Sequence, residues 1–159
     1  MIRLIAAVDR QLGIGKHGGQ PWSIPEDEAY FAGCTKSLGG NILVGSTTFR
    51  TFRAPLVDRT NYVLTSHDEP LAGAELVHDL THFLEEFADR DLWVVGGAKV
   101  FQQVMDLGKA DELYLTHIDA DFACHVFFPQ FEGKFRQIEH GDTREQNGFH
   151  FSYAKYAKV

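Results

Sequence analysis

Leu92-Trp93-Val94-Val95-Gly96-Gly97-Ala98-Lys99-Val100-Phe101 is the stretch on which the fold turns. Its first four residues are apolar without interruption, the pattern of a strand buried on both faces of a parallel or mixed sheet. Ala98–Leu107 then places Phe101, Val104 and Met105 on one side of a helix. Between strand and helix stand paired glycines. They would let a ligand's phosphates approach the backbone, where the helix N-terminus offers free N–H groups and positive potential. A tight strand-to-helix turn explains the same pair equally well.

The alternation repeats on either side. Ile2–Val8, Asn41–Gly45, Asn61–Thr65, Glu75–His78, Leu92–Val95, Glu112–Ile118, Phe135–Glu139 and Phe149–Tyr156 read as strands. Pro25–Cys34, Thr47–Phe52, Leu80–Asp89 and Ala98–Leu107 read as helices, the first opening on Pro and acids. Such alternation makes an α/β layered domain. Only a turn around Gln146-Asn147-Gly148 separates the last two strands, which predicts an antiparallel hairpin at the end of the sheet. No repeat or linker interrupts the chain, so residues 1–159 are expected to form a single domain, a size at which one core suffices.

Fifteen Lys and Arg against 22 Asp and Glu leave a formal charge of −7, which disfavours a nucleic-acid or acidic-membrane surface. A small anionic ligand needs only a few local cations and stays open. The apolar run Leu4–Val8, closed by Asp9, is too short for a signal core or a bilayer span. Cys34 and Cys124 form no CxxC pair, and free thiols in a reducing cytoplasm are the economical reading. Among the eight histidines, His78 and His82 are four apart, but one ends a strand and the other follows an expected cap. No credible third ligand stands at helical spacing, so no metal is expected. Neither a Gly-x-Ser-x-Gly elbow nor a P-loop lysine is present, which removes common hydrolase and kinase readings.

Gly13-Ile14-Gly15-Lys16-His17-Gly18 spells the GxGxxG of dinucleotide-binding folds. That motif works only where it joins a strand directly to a helix facing the pyrophosphate. Here the strand ends near Asp9 and the glycines run on into Gly19-Gln20-Pro21-Trp22. A glycine-rich mobile loop beside an active site is expected instead.

Pro21-Trp22-Ser23-Ile24-Pro25-Glu26-Asp27-Glu28-Ala29-Tyr30-Phe31 resembles the signature of the dihydrofolate reductase family. Other matching pieces follow in the family's order over nearly the whole chain. They are Leu4-Ile5-Ala6-Ala7, Gly13-Ile14-Gly15, Leu43-Val44-Gly45 with Thr48-Phe49, Pro55-Leu56 then Arg59, Val95-Gly96-Gly97, and Leu113-Tyr114-Leu115-Thr116-His117-Ile118-Asp119. The resemblance implies a three-layer αβα domain with a central mixed eight-stranded sheet and about four helices, the eight strand-like runs above being its strands. It also implies an oxidoreductase that reduces 7,8-dihydrofolate to tetrahydrofolate with NADPH. Such an enzyme would be a cytoplasmic protein of one-carbon metabolism, commonly a monomer, and a target of antifolates.

Asp27, Trp22 and Thr116 are the catalytic residues that the resemblance implies. A carboxylate at Asp27 can accept the paired donors of a pterin in a planar bidentate contact. In an apolar cleft its pKa should rise above the ordinary value of about 3.9, suiting it to help deliver a proton through water. A first-turn acid favoured by the helix dipole is the bland account of the same residue. Thr116 would hydrogen-bond the carboxylate and Trp22 would order water. Ile5, Ala6, Ala7, Glu28, Phe31, Phe52, Leu56, Arg59, Val95 and Phe101 would complete the substrate site, with Arg59 gripping the glutamate tail through its planar fork. For the cofactor, Ala7, Ile14, Gly15 and Gln20 would cover the nicotinamide. Gly45, Ser46, Thr47, Thr48, Leu64, Thr65, Ser66, His67, Val95, Gly96, Gly97, Ala98, Lys99, Val100 and Phe101 would line the rest of its path.

Several positions depart from the family pattern. Ser46 stands where an arginine usually meets cofactor phosphate, so discrimination for the 2′-phosphate must rest on Thr65, Ser66 and His67. Glu28 occupies a usually apolar place, where it would either point to solvent or perturb Asp27 by repulsion. Gln20 replaces an apolar loop residue, and Cys124-His125-Val126 replaces Gly-Asp-Thr, so loop behaviour cannot be borrowed from relatives. The altered pocket predicts weak binding of diaminopyrimidines such as trimethoprim. A riboflavin-pathway pyrimidine reductase of related fold is the alternative enzyme, and a non-catalytic pterin- or nucleotide-binding protein the alternative class. The spacing of Trp22, Asp27 and Phe31, with Arg59, favours folate.

Overall fold

The two apolar runs that the sequence marks as doubly buried lie side by side in the middle of the sheet. The structure, a computed structural model, describes residues 1–159. In chain order the elements are β1 (Ile2–Val8), β2 (Gly13–Gly15), α1 (Pro25–Lys36), β3 (Asn41–Gly45), α2 (Ser46–Phe49), β4 (Thr60–Leu64), β5 (Ala74–Val77), α3 (Leu80–Glu85), β6 (Leu92–Gly96), α4 (Ala98–Asp106), β7 (Glu112–Ile118), β8 (Val126–Phe127), β9 (Phe135–His140), β10 (Arg144–Gln146) and β11 (Phe149–Lys158). The large sheet runs β10-β11-β7-β1-β6-β3-β4-β5, with β9 also paired to β11. Strand β1 is parallel to both β6 and β7, while β11 is antiparallel to β7. Strands β9 and β10 share the outer edge of β11, the first against Ala154–Lys158 and the second against Phe149–Phe151. They act as one interrupted edge strand, so the mixed sheet has eight positions.

Alternate residues of the central strands feed opposite faces. Leu4, Leu43, Leu92 and Val94 pack with Phe83, Leu84 and Phe87 from α3 and the turn after it, and with Val100, Phe101 and Val104 of α4. On the other face Ile5, Ile42, Val44, Val63 and Trp93 pack with Phe49 of α2, and Phe31 and Phe52 lie against them. The result is the expected three-layer αβα arrangement. Helix α1 turns Asp27, Tyr30, Phe31, Cys34 and Thr35 inward at helical spacing, yet only Thr35 among them is fully buried. The N-terminal part of α1 is therefore less fully covered than the turn that carries Thr35, and it meets β7 where Thr116 bonds Asp27.

The structure departs from the sequence reading at element ends and at short strands. The expected helix Leu80–Asp89 stops at Glu85 and continues as turns, and Thr47–Phe52 is instead Ser46–Phe49. Strands β2 and β8, three and two residues long, pair with each other and are too short for any periodicity to show. The predicted C-terminal hairpin exists, but its first arm is β10 and not the strand at Phe135. The turn between β10 and β11 carries Asn147 at φ 54° and Gly148 at φ 80°, the positive pair that an Asn-Gly hairpin turn requires. Gly13–Gly18 forms β2 and a turn with no helix after it, as its context implied.

Candidate active site

Asp27 sits in the first turn of α1, flanked by Glu26 and Glu28, behind Pro25 and an N-cap, Ile24, that has no side-chain bond to give. Below it, Thr116 on β7 stands in register with Ala7 of β1 and Tyr153 of β11. The Thr116 hydroxyl donates to Asp27 Oδ1 at 2.6 Å. Burial pushes the Asp27 carboxyl up, the Thr116 hydrogen bond opposes that, and the charges of Glu28 and Glu26 add to the rise. Glu28 itself is exposed, so both outcomes expected for it hold together: it points to solvent and still perturbs Asp27.

Apolar walls surround this acid. Ile5 belongs to the core group against which Phe31, Phe52, Leu56 and Val95 pack, and Ala7 to the group holding Trp22, Ile24 and Ile118. Trp22 is 7% exposed, and its Nε1 is buried with no protein acceptor. A buried indole N–H left alone is costly and points to a water or ligand atom as its partner. Tyr30 and Tyr153 close the outer side, stacked with ring centroids 4.0 Å apart. Burial together with the charges of Asp27 and Glu26 pushes Tyr153 up to about 12. The two tyrosines escaped the sequence reading because nothing but the β7·β11 register brings residue 153 beneath residue 27.

Arg59 lies where the 56–59 loop meets the end of α1. Its Nη1 donates to Thr35 Oγ1 and its Nε to the Val57 carbonyl, both at 2.9 Å. It is half-buried with no carboxylate in salt-bridge range, and burial pushes its pKa down. An arginine so placed retains donors for an anionic ligand. Asn61, buried and also missed in the sequence, holds this loop by exchanging hydrogen bonds with the Leu56 backbone at 3.0 and 2.9 Å.

A second part of the cleft is built from backbone. Val44 and Gly96 are in register on the neighbouring strands β3 and β6, and each strand runs directly into a helix, α2 or α4. The N-caps Gly45 and Gly97 contribute no side-chain bond. A Cβ on Gly97 would fall 2.7 Å from Thr48 Oγ1, and one on Gly45 would fall 3.0 Å from Val100 Cγ2. The first-turn N–H groups of Ala98 and Lys99 have no partner within the helix, which is the chemistry of an anion cradle. Ser46, Thr47 and Thr48 border it. At the end of β4, beyond Leu64, Thr65 is buried, with its hydroxyl accepting from the His67 N–H at 3.1 Å, while Ser66, His67 and Lys99 are exposed.

Some expected residues are not gathered at the cleft by their side chains. Phe101 is 1% exposed and packs on Phe128 under α4, and Ala6 faces that same side of the sheet. Ile14 leans on that group too, and Gln20 is exposed. No three His, Cys, Asp or Glu side chains converge in metal-binding range. Cys34 and Cys124 are both free. No helix is long and apolar enough to cross a membrane.

A family model described as dihydrofolate reductase matches residues 1–158. The chain belongs to the dihydrofolate reductase family. It is 33% identical to a dihydrofolate reductase of Bacillus subtilis over 99% of this chain and 95% of that protein. It is likewise 33% identical to the Haemophilus influenzae enzyme of the same name, over 92% and 91%, and 32% identical to that of Drosophila melanogaster, over 94% and 93%.

Proposed function

We propose that the chain reduces 7,8-dihydrofolate to 5,6,7,8-tetrahydrofolate with NADPH. The observation that carries this is the half-buried Asp27 carboxyl of α1, bonded at 2.6 Å to Thr116 of β7. When bound, the reduced nicotinamide supplies the hydride. The residues present suit such a cofactor: Gly97 packs on Thr48 too closely to admit a Cβ, and the α4 N-terminus carries no side-chain cap, which leaves its N–H groups for a pyrophosphate. Gly45 to Thr48 would border its path, and Thr65, Ser66 and His67 would meet a 2′-phosphate. Gly15 to Gln20 would lie over the nicotinamide.

On the substrate side, Asp27 accepts from the exocyclic amine and ring N–H of the pterin and stabilises the protonated ring. Ile5, Ala7, Phe31, Phe52 and Leu56 hold the ring flat and keep bulk water out, which strengthens that pairing. A water held near Trp22 Nε1 would carry the proton to the ring nitrogen of the C6=N5 bond. Arg59 takes the carboxylate of the glutamate tail with its unused donors. This reading also takes residues 1–159 as one domain, acting as a cytoplasmic monomer with no nucleic-acid or membrane partner.

The test is loss of NADPH absorbance with dihydrofolate as acceptor, repeated with the pyrimidine intermediate of riboflavin synthesis. Turnover of dihydrofolate alone is expected. Turnover of the pyrimidine alone would transfer the proposal to that reductase, and a well-folded protein that turns over neither would be a binding protein.

A further inference from the structure

We propose that Asp9 is a positioning residue whose carboxylate ties the glycine loop to the 120–127 segment and thereby sets how long a nicotinamide dinucleotide is retained. The inference rests on the function proposed above, in which the glycine loop covers the cofactor. Asp9 directly follows β1 and is 2% exposed. Its Oδ1 accepts from the backbone N–H groups of Gln11 (2.9 Å) and Gly13 (2.7 Å), and its Oδ2 from that of Phe122 (3.1 Å). Burial alone would raise this carboxyl, yet the N–H groups of Phe122, Gly13 and Gln11, together with the Cys124 thiol, outweigh burial and hold it below its ordinary value. The neighbouring Arg10 turns away to Asp119 at 2.7 Å. The charge is thus neutralised by backbone dipoles drawn from two separate loops.

Those two loops then act as one body. Gly13 pairs with Phe127 and Gly15 with Val126, the His125 N–H donates to the Gly15 carbonyl at 2.9 Å, and the His17 and His125 rings meet at 5.1 Å. A Cβ at Gly13 would fall 2.5 Å from Cys124 Cβ and 2.9 Å from Asp9 Oδ1, so only glycine lets the loop press this close. The Phe122 ring lies 5.2 Å from that of Trp22, at the far end of the glycine loop. Asp9 therefore anchors both ends of the loop: directly at Gly13 and, through Phe122, at Trp22. It sits two residues from Ala7 on the cleft floor, so the anchor is tied to the same strand that the substrate would touch.

Asp9→Asn separates this role from a purely local one. The amide keeps one oxygen for the turn at Gln11 and Gly13 but presents an NH2 group, which cannot accept from Phe122. NADPH release, followed by the fluorescence of bound NADPH, should become about tenfold faster, the scale of one hydrogen bond to a charged group. Turnover at saturating NADPH should change less, and the melting temperature should stay within a few degrees of the parent's. Release at the parent's rate from folded Asp9→Asn would overturn the proposal. Amide exchange in the unaltered protein supplies a second reading. The Phe122 N–H should be protected and slow further with NADPH, and exchange at the rate of a free amide would also overturn it. Neither reading needs turnover, so an inactive parent would refute the proposed function while these two measurements still decide the role of Asp9.

Discussion

Thr116 Oγ1 lies 2.6 Å from Asp27 Oδ1, and this hydroxyl is the one group that draws the carboxyl's pKa down while burial, Glu28 and Glu26 draw it up. The pair spans α1 and β7, so the proton affinity of the acid depends on how closely one helix approaches one strand.

Removing the hydroxyl while keeping the shape tests that dependence. In Thr116→Val the apparent pKa belonging to Asp27 should move to higher pH. kcat/KM for dihydrofolate should fall about tenfold, the scale of a hydrogen bond to a charged group. A pH–rate profile of both proteins measures each effect.

Asp27 should also cost stability. A carboxyl with a folded pKa above its unfolded one contributes nothing adverse below the unfolded value, where both states hold the proton. It destabilises the fold as pH rises through the folded value. Asp27→Asn should therefore melt higher at neutral pH, by on the order of 1 kcal/mol in stability, a scale typical of relieved active sites. The advantage should vanish below about pH 4. Thermal melts across pH read this directly.

Much of the architecture was legible in the sequence because long apolar runs have few alternatives. Leu4–Val8 and Leu92–Val95 read as doubly buried strands, and the Gly96-Gly97 pair marks where the second of them gives way to a helix. Elements of two or three residues, β2, β8 and β10, were not legible, since they exist through partners distant in the chain. The same division holds at the site. Asp27, Thr116 and the glycines carry local patterns, but Asp9, Asn61 and Tyr153 matter only through what the fold brings to them. Phe101, adjacent to the glycines in sequence, turns its ring into the core, a direction that its place in the chain does not reveal.

Arg59 should act on the tail of the substrate alone. Arg59→Lys keeps the charge but loses the planar fork. KM for dihydrofolate should rise on the order of tenfold, while a pterin without the glutamate keeps its parent KM. Steady-state kinetics with both substrates would show it.

Gly97→Ala would place a methyl 2.7 Å from Thr48 Oγ1, inside the cradle. Calorimetric titration should show NADPH affinity lowered by at least tenfold, since the approach to the α4 N-terminus is blocked. Dihydrofolate affinity should be unchanged.

His117 gives the fold a pH limit away from the cleft. Burial and the nearby His140 hold its pKa down, and its ring meets the Tyr156 hydroxyl at 2.7 Å. The unfolded chain binds the proton first, so stability present above pH 6.5 is lost as pH falls below it toward the folded value. The melting temperature should decline over that window, and His117→Gln should flatten the decline.

The rate of dihydrofolate reduction by Asp27→Asn, measured from pH 5 to pH 9 beside the parent, bears most directly on the central role given to Asp27. At neutral pH the variant should be slower by about a hundredfold or more, the scale of a lost acid–base group. It should recover steeply as pH falls and the pterin takes its proton from solvent. A variant as fast as the parent at neutral pH, with the same pH profile, would contradict the account.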